Sequence, residues 1–180
     1  MTLKIFTCEG GTVDLPDPQF VLISRENGGN LIVHPPRPVW ERSELTRTEL
    51  MLWAFLVAAT GRAMLDVLPQ LKGGCINYWE AGNWALNDDA EPKGRKLPSD
   101  YRRVHLHLLG RSPASTDPSC RWGESPNFPD YADRLTWSAD KRLFTPEECR
   151  AILHRTERLL TEKYDFTPTQ IGAWSVPESA

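Results

Sequence analysis

Short apolar runs, and in one case an alternation of apolar and polar residues, mark four segments of the chain as strands. Residues 20–24 (FVLIS) and 31–34 (LIVH) are apolar, β-branched runs separated by RENGGN. An Asn-Gly pair between two such runs favours a tight turn, so these segments predict a β-hairpin. Residues 75–79 (CINYW) predict a further strand. The stretch RRVHLHLLGR, which begins at residue 102, alternates between apolar and polar residues and predicts a fourth strand.

Helical spacing marks two longer segments. Thr46 and Glu49 have the spacing of a capping box and precede a strongly apolar run, LMLWAFLVAATGRAMLDVL, which predicts one long helix. Thr145 and Glu148 repeat the capping-box spacing, with a proline at the first helical position, and predict a C-terminal helix over about 146–164. The two helices and the strands together predict an α+β domain.

The segment between the histidine-bearing strand and the last helix has little periodicity. It is rich in Pro, Ser, Asp and Trp, yet several large aromatic side chains in it require burial: Trp122, Phe128, Tyr131 and Trp137. We therefore predict that residues 112–140 form irregular structure that covers the core, and we find no internal repeats.

The histidine-bearing strand has two chemically different faces. Val104, Leu106 and Leu108 share one face, and Arg103, His105 and His107 share the other. A sheet packed on the long helix would bury the first face and offer two imidazoles and a guanidinium to a ligand. A half-solvated antiparallel strand without any site shows the same alternation, so the pattern alone leaves both interpretations open.

Composition narrows the class of protein. The 180 residues carry a formal net charge of −3, which argues against a general nucleic-acid binder, because phosphate contacts need a basic surface. No apolar run appears long enough for a bilayer, and the first residues do not read as a signal peptide. The four cysteines are then expected to be free thiols, and the expected location is cytoplasmic without membrane association.

The sequence VHLHLLGR resembles the central motif of the histidine triad (HIT) family, His-φ-His-φ-His-φ-φ with φ apolar, often followed by Gly or Pro and Arg. FVLISRENGGNLIVHPPRPVWERSELTRTEL resembles the family's strand–turn–strand segment and the helix after it, with Asn30 in place of a histidine. INYWEAGN is similar to the strand and loop that precede the triad.

The resemblance covers about residues 18–112 and implies a single HIT-like domain over 1–180. Its fold would be an antiparallel sheet of about five strands, one long helix and a C-terminal helix. Residues 113–180 would form a C-terminal extension. The family often dimerises by joining sheets and long helices, so the resemblance also implies a homodimer.

The resemblance implies a function as a nucleotide hydrolase or nucleotidyl transferase that needs no cofactor. His105 would attack the α-phosphorus of a nucleotide conjugate and form a covalent nucleotidyl-histidine. Imidazole suits this role because much of it is neutral near pH 7. His107 would hydrogen-bond a non-bridging or leaving oxygen and help to protonate the leaving group.

Two positions depart from the family pattern. Arg103 replaces the first triad histidine, and arginine is permanently charged and accepts no hydrogen bond. It could instead bind a phosphate oxygen. Asp100 stands where the family has a hydroxyl residue that commonly meets the leaving group. These departures favour an alternative, a catalytically reduced nucleotide-binding or regulatory protein on the same fold.

Further substrate-binding residues are expected in the loops. Asn83, Trp84 and Asn87 lie in a long loop after residues 75–79. Trp84 could stack on a base and the two carboxamides could bind substrate, or the loop could be a solvated turn that Trp84 anchors. Basic residues at 93, 95 and 96 could meet phosphates or form a solvated turn. Ser24 falls near a ribose-binding asparagine of the family. His34 and His154 are expected to be structural.

A metal centre is a third interpretation of the motif. His-X-His on a strand begins the metal site of cupin-like barrels, which also needs a downstream glutamate and a distant histidine. The next glutamate after the motif is Glu124 and only His154 follows, so the sequence does not favour this interpretation.

Overall fold

A computed structural model describes residues 2–176, with the side chain of Ala81 left undescribed. The strands are β1 (Leu3–Cys8), β2 (Gly11–Leu15), β3 (Asn30–His34), β4 (Cys75–Ala81), β5 (His105–Arg111) and β6 (Ile171–Trp174). The helices are α1 (Arg47–Val67), α2 (Pro98–Tyr101), α3 (Arg134–Ser138) and α4 (Pro146–Tyr164).

The strands form one antiparallel sheet in the order β4-β5-β3-β2-β1-β6. The predicted α+β class is therefore confirmed, with six strands in the described part of the chain where about five were expected. Three of them, β1, β2 and β6, lie outside residues 18–112. The histidine-bearing strand β5 lies between β3 and β4.

The predicted hairpin of 20–24 with 31–34 is wrong. Residues 31–34 belong to β3, but both edges of β3 are occupied, by β2 and β5, so no edge remains for residues 20–24. That segment instead lies between two short 3-10 turns, and its Leu22 and Ile23 N–H groups donate to Asn30 Oδ1. The first hairpin of the chain is β1–β2, which the apolar pattern did not reveal.

Both long helices begin where the sequence predicts. Thr46 with Glu49, and Thr145 with Glu148, each form a complete capping box. The two helices pack together on one face of the sheet and share its main hydrophobic core.

Helix α1 is long and apolar enough to cross a membrane by length and composition, so the expectation that no apolar run reaches that length is wrong. Half of that stretch is buried inside the fold, as is usual for a core helix.

The second face of the sheet is covered by residues before β3 and after β5. Leu22, Ile23, Leu109 and Cys120 form a smaller buried cluster there. The guanidinium of Arg111, 4% exposed, donates to Asn77 Oδ1 and to the carbonyl oxygens of residues 121 and 124. It therefore fastens the C-terminal extension to the sheet, at the opposite end of β5 from His105.

Candidate active site

A cavity of about 450 Å³ lies on this second face, at the end of β5 that carries the histidines. Its floor is formed by His105, His107 and Ile32, and its walls are largely aromatic. The walls include Phe20, Trp79, Trp84, Tyr101 and Arg103. A concave, mostly apolar pocket with a few convergent polar groups is the usual form of a small-molecule site.

Strand register places the rings at the floor. On β5, His107 lies opposite Ile32 of β3 on one side and opposite Trp79 of β4 on the other. Val104, Leu106 and Leu108 are buried in the main core on the helix-covered face. The predicted division of the strand into an apolar face and a histidine face is thus present.

Hydrogen bonds determine the tautomers of the two imidazoles. His105 Nδ1 lies 2.8 Å from the carbonyl oxygen of Arg103, so Nδ1 carries the proton and Nε2 keeps its lone pair. His105 Nε2 lies 3.1 Å from His107 Nε2, which must then be the N–H donor. The lone pair of His105 Nε2 consequently accepts from the neutral His107 N–H at the floor of the cavity.

Burial keeps both imidazoles neutral at pH 7. It is the main cause that lowers the pKa of His105 below its usual value of 6.5. Burial, and then the neighbouring rings of His105 and His34, lower the pKa of His107 to about 3. His107 can therefore donate a hydrogen bond from Nε2, but it holds no surplus proton for a leaving group.

Arg103 is among the residues that line the cavity, and its main-chain carbonyl oxygen binds His105 Nδ1. Its guanidinium donates to the carbonyl oxygens of Ser99, Asp100 and Arg102, at 2.6 to 3.2 Å. These contacts use three of five N–H groups, so within the described residues Nε–H and one Nη2–H remain for a ligand.

Of the predicted loop residues, Asn83 and Trp84 line the cavity. The indole of Trp84 lies 6.1 Å from the ring of Phe20 and 6.1 Å, edge-on, from the ring of Tyr131. Tyr131 belongs to the C-terminal extension, so this extension supports one wall of the site.

Three predicted substrate-binding residues lie outside the cavity. Ser24 is buried, and its hydroxyl donates to Glu26 and accepts from the Arg142 N–H at the start of the α4 region. Asn87 Oδ1 accepts from the N–H of residue 89, which holds the loop's own turn. Asp100 is exposed and accepts from the hydroxyl of residue 99.

The basic residues of the same loop do not converge on the cavity either. Lys96 is buried and donates to the carbonyl oxygens of Asn87 and Gly94, so it closes the loop on itself. The sequence left open whether Lys96 meets a phosphate or forms part of a turn. Its contacts support a role in the turn.

The sequence patterns did not single out Trp79 or Asp14, and they assigned His34 a structural role. Trp79 lies 5.3 Å from the ring of His107 and stacks on Phe128 at 4.7 Å. His34 and Asp14, on β3 and β2, lie beside His105. The alternation in LIVH could have placed His34 on the histidine face, but no local signal paired it with Asp14.

Within residues 2–176 no group of three or more His, Cys, Asp or Glu side chains has an arrangement that could hold a metal ion. Comparison of the chain with protein-family models, with curated proteins and with solved structures found no match. A family assignment of this chain therefore rests on its own motifs and geometry.

Proposed function

We propose that the protein is a nucleotide hydrolase or nucleotidyl transferase of the HIT type, with His105 as its nucleophile. The observation that carries this proposal is the hydrogen bond from His105 Nδ1 to the Arg103 carbonyl oxygen. It fixes the tautomer that leaves Nε2 unprotonated at the floor of an aromatic-walled cavity, where this nitrogen accepts from the His107 N–H until a substrate replaces that contact. An unprotonated ring nitrogen is what attack on phosphorus requires.

The reaction then proceeds in two displacements. The lone pair of His105 Nε2 forms a bond to the α-phosphorus, and the leaving group departs with the electrons of its bond to that atom. The resulting nucleotidyl-imidazolium keeps its Nδ1 proton, which still donates a hydrogen bond to the Arg103 carbonyl oxygen. Water, or a second phosphate acceptor, next attacks the phosphorus, and His105 recovers its lone pair. In the overall hydrolysis, the attacking water gives up one proton and the leaving group gains one, so the number of protons is unchanged.

His107 fits the role of a neutral hydrogen-bond donor in this sequence. When the lone pair of His105 Nε2 bonds to phosphorus, the His107 N–H loses its acceptor. It then becomes available to a non-bridging phosphoryl oxygen. The expected role in protonating the leaving group is not supported, because at a pKa of about 3 His107 carries no extra proton at pH 7.

The aromatic walls supply the binding side of the proposal. Trp84 and Phe20 offer ring faces at the rim, and the Arg103 guanidinium has two N–H groups left for phosphate oxygens. Stacking a base on an aromatic side chain contributes about 1–3 kcal/mol. A nucleoside with a phosphate chain directed at His105 matches this distribution of groups.

The alternative is a nucleotide-binding protein that has lost its chemistry. The replacement of the first triad histidine by Arg103 favours it. One observation argues against this alternative. His105 donates to the main-chain carbonyl oxygen of residue 103, and replacing the side chain of that residue does not remove this hydrogen bond.

A turnover assay of wild type and His105→Ala tests the proposal. Adenosine and guanosine phosphoramidates, dinucleoside polyphosphates, nucleotide sugars and capped dinucleotides would be incubated with each protein and separated by chromatography. We expect wild type alone to release a nucleoside monophosphate, and an acid-quenched reaction to show a nucleotidyl adduct by mass.

His154→Ala is the matched control, because His154 is an exposed histidine on α4 that contacts Trp174 and not the cavity. Turnover by His105→Ala at the wild-type rate contradicts the nucleophile assignment. Nucleotide binding without turnover in the wild type would support the alternative.

We also propose that two copies associate through β4 and α1. β4 is the terminal strand of the sheet, and the large side chains of Leu50, Met51 and Tyr78 are exposed beside it. A groove of about 430 Å³ between the two elements lies at the same place. Sedimentation analysis of wild type and Leu50→Glu would detect a dimer and its loss; a wild-type monomer at all concentrations contradicts this.

A further inference from the structure

Three imidazoles form a row across the central strands β3 and β5. The ring centroids of His34 and His105 are 5.4 Å apart, and those of His105 and His107 are 4.9 Å apart. His105 is the middle ring, so a charge on either neighbour acts directly on it. His34 is not among the residues that line the cavity, so it acts on a substrate through His105.

A buried carboxylate stands behind His34. Asp14 on β2 is 5% exposed, and its Oδ2 lies 3.7 Å from His34 Nε2 and accepts from Thr2 Oγ1 at 2.9 Å. Asp14 Oδ1 and His34 Nε2 are both buried and have no hydrogen-bond partner within the described residues. A buried carboxylate this poorly compensated is costly, and a proton on His34 would offset that cost.

The charges around His34 come from three strands. Burial is the main cause that lowers the pKa of His34, and Asp14 of β2 acts in the opposite direction. A positive charge on His105 of β5 or on Lys4 of β1 lowers it. Two positive imidazoles 5.4 Å apart therefore exclude each other, and the row accepts one proton before it accepts a second.

The charges around His105 differ. Besides burial, which lowers its pKa, Arg102 lowers it, whereas Glu80 of β4, Asp14 and the bond to the Arg103 carbonyl raise it. Its Nε2 already accepts from His107, so a proton on that atom would break a hydrogen bond. A proton on His34 breaks none, and it faces the carboxylate at 3.7 Å.

We infer that Asp14 and His34 form a positioning pair that takes up the first proton to enter the row, so that His105 stays neutral and nucleophilic. This inference rests on the proposed function, since it explains how the nucleophile keeps its lone pair below pH 7. An imidazolium at His34 repels a second proton from His105.

Titration of the imidazole nitrogens by ¹⁵N NMR tests the order of protonation without any substrate. Spectra of His34→Gln, His105→Gln and His154→Gln would assign the signals, and His154 would serve as an exposed reference. We expect His34 to gain its proton at a higher pH than His105. Protonation of His105 before His34 overturns the inference.

Two variants and their combination test how the pair acts. His34→Gln should raise the titration midpoint of His105 by about one pH unit, because a like charge beside it is lost. Asp14→Asn should lower the titration midpoint of His34, because the carboxylate that favours its protonated form is lost. The double variant should have a His105 midpoint no higher than that of His34→Gln alone, because the direct effect of Asp14 on His105 is to raise its pKa. An unchanged His105 midpoint in His34→Gln, or an unchanged His34 midpoint in Asp14→Asn, overturns the inference. Thermal unfolding of each variant would show that the fold is retained.

The pH profile of kcat/KM separates this inference from the proposed function. In His34→Gln the acid limb should move to higher pH by the same amount as the NMR midpoint. If the wild type turns over no nucleotide, the proposed function fails while the NMR titration still decides the inference. If turnover needs His105 but the acid limb stays in place, the inference alone fails.

Discussion

Replacing Arg103 by methionine separates its side chain from its main chain. Methionine keeps a long apolar stem but removes every guanidinium N–H. The carbonyl oxygen that accepts from His105 Nδ1 belongs to the backbone and remains. If the proposed function holds, we therefore expect Arg103→Met to weaken substrate binding while the orientation of His105 is retained.

The structure bounds the size of this effect. The guanidinium has two N–H groups free of the carbonyl contacts, and one charge-assisted hydrogen bond to a phosphate contributes about 1.5–3 kcal/mol. At about 1.4 kcal/mol per tenfold change, this corresponds to roughly a 10- to 100-fold loss in kcat/KM. Because Arg103 is exposed, the smaller value is the better expectation. Under the proposed function, His105→Ala removes the nucleophile and should cost about four orders of magnitude or more in kcat/KM.

The assay is steady-state kinetics on whichever nucleotide conjugate the wild type turns over. We expect the change mainly in KM, with kcat within about threefold of wild type, because uniform binding is lost and not the reacting group. Arg95→Met is the matched control, since Arg95 is an exposed arginine of the neighbouring loop that does not line the cavity. Thermal unfolding would detect any loosening of α2, whose carbonyl groups the guanidinium contacts.

A loss in Arg103→Met as large as that in His105→Ala, and confined to kcat, would refute this reasoning. It would mean that the guanidinium takes part in the chemical step itself. A loss below twofold would show instead that its remaining N–H groups meet no phosphate.

Three further changes probe the scaffold and the wall of the site. Gly110→Ala should destabilise the protein by about 1–3 kcal/mol in urea unfolding, because its Cβ would lie 2.2 Å from the Gly28 carbonyl oxygen; an unchanged midpoint would contradict this close contact. Thr145→Ala should cost about 1 kcal/mol in the same assay through loss of the α4 cap, whereas Thr145→Ser should retain most of it. Trp84→Ala should raise KM about tenfold or more and also lower the thermal stability, because the indole packs against the smaller buried cluster; an unchanged KM would remove Trp84 from the substrate site.

The sequence alone determined the elements whose signals are local. Both capping boxes lie within four residues, and the helices they begin follow directly from them. The two faces of β5 follow from alternation, which depends only on strand geometry. His105, His107 and Arg103 therefore reach the cavity as the pattern predicted.

Tertiary structure decided what depends on partners distant in the chain. Residues 20–24 have the composition of a strand, but β2 and β5 occupy both edges of β3 and leave them none. Ser24 is the last residue of this segment, and it lies outside the cavity. The pairing of His34 with Asp14 arises only where β2 lies beside β3, a neighbour relation that no spacing along the sequence encodes. Local hydrogen bonds and side-chain periodicity can be read from a sequence, whereas the choice of strand neighbours is made by competition for edges across the whole sheet.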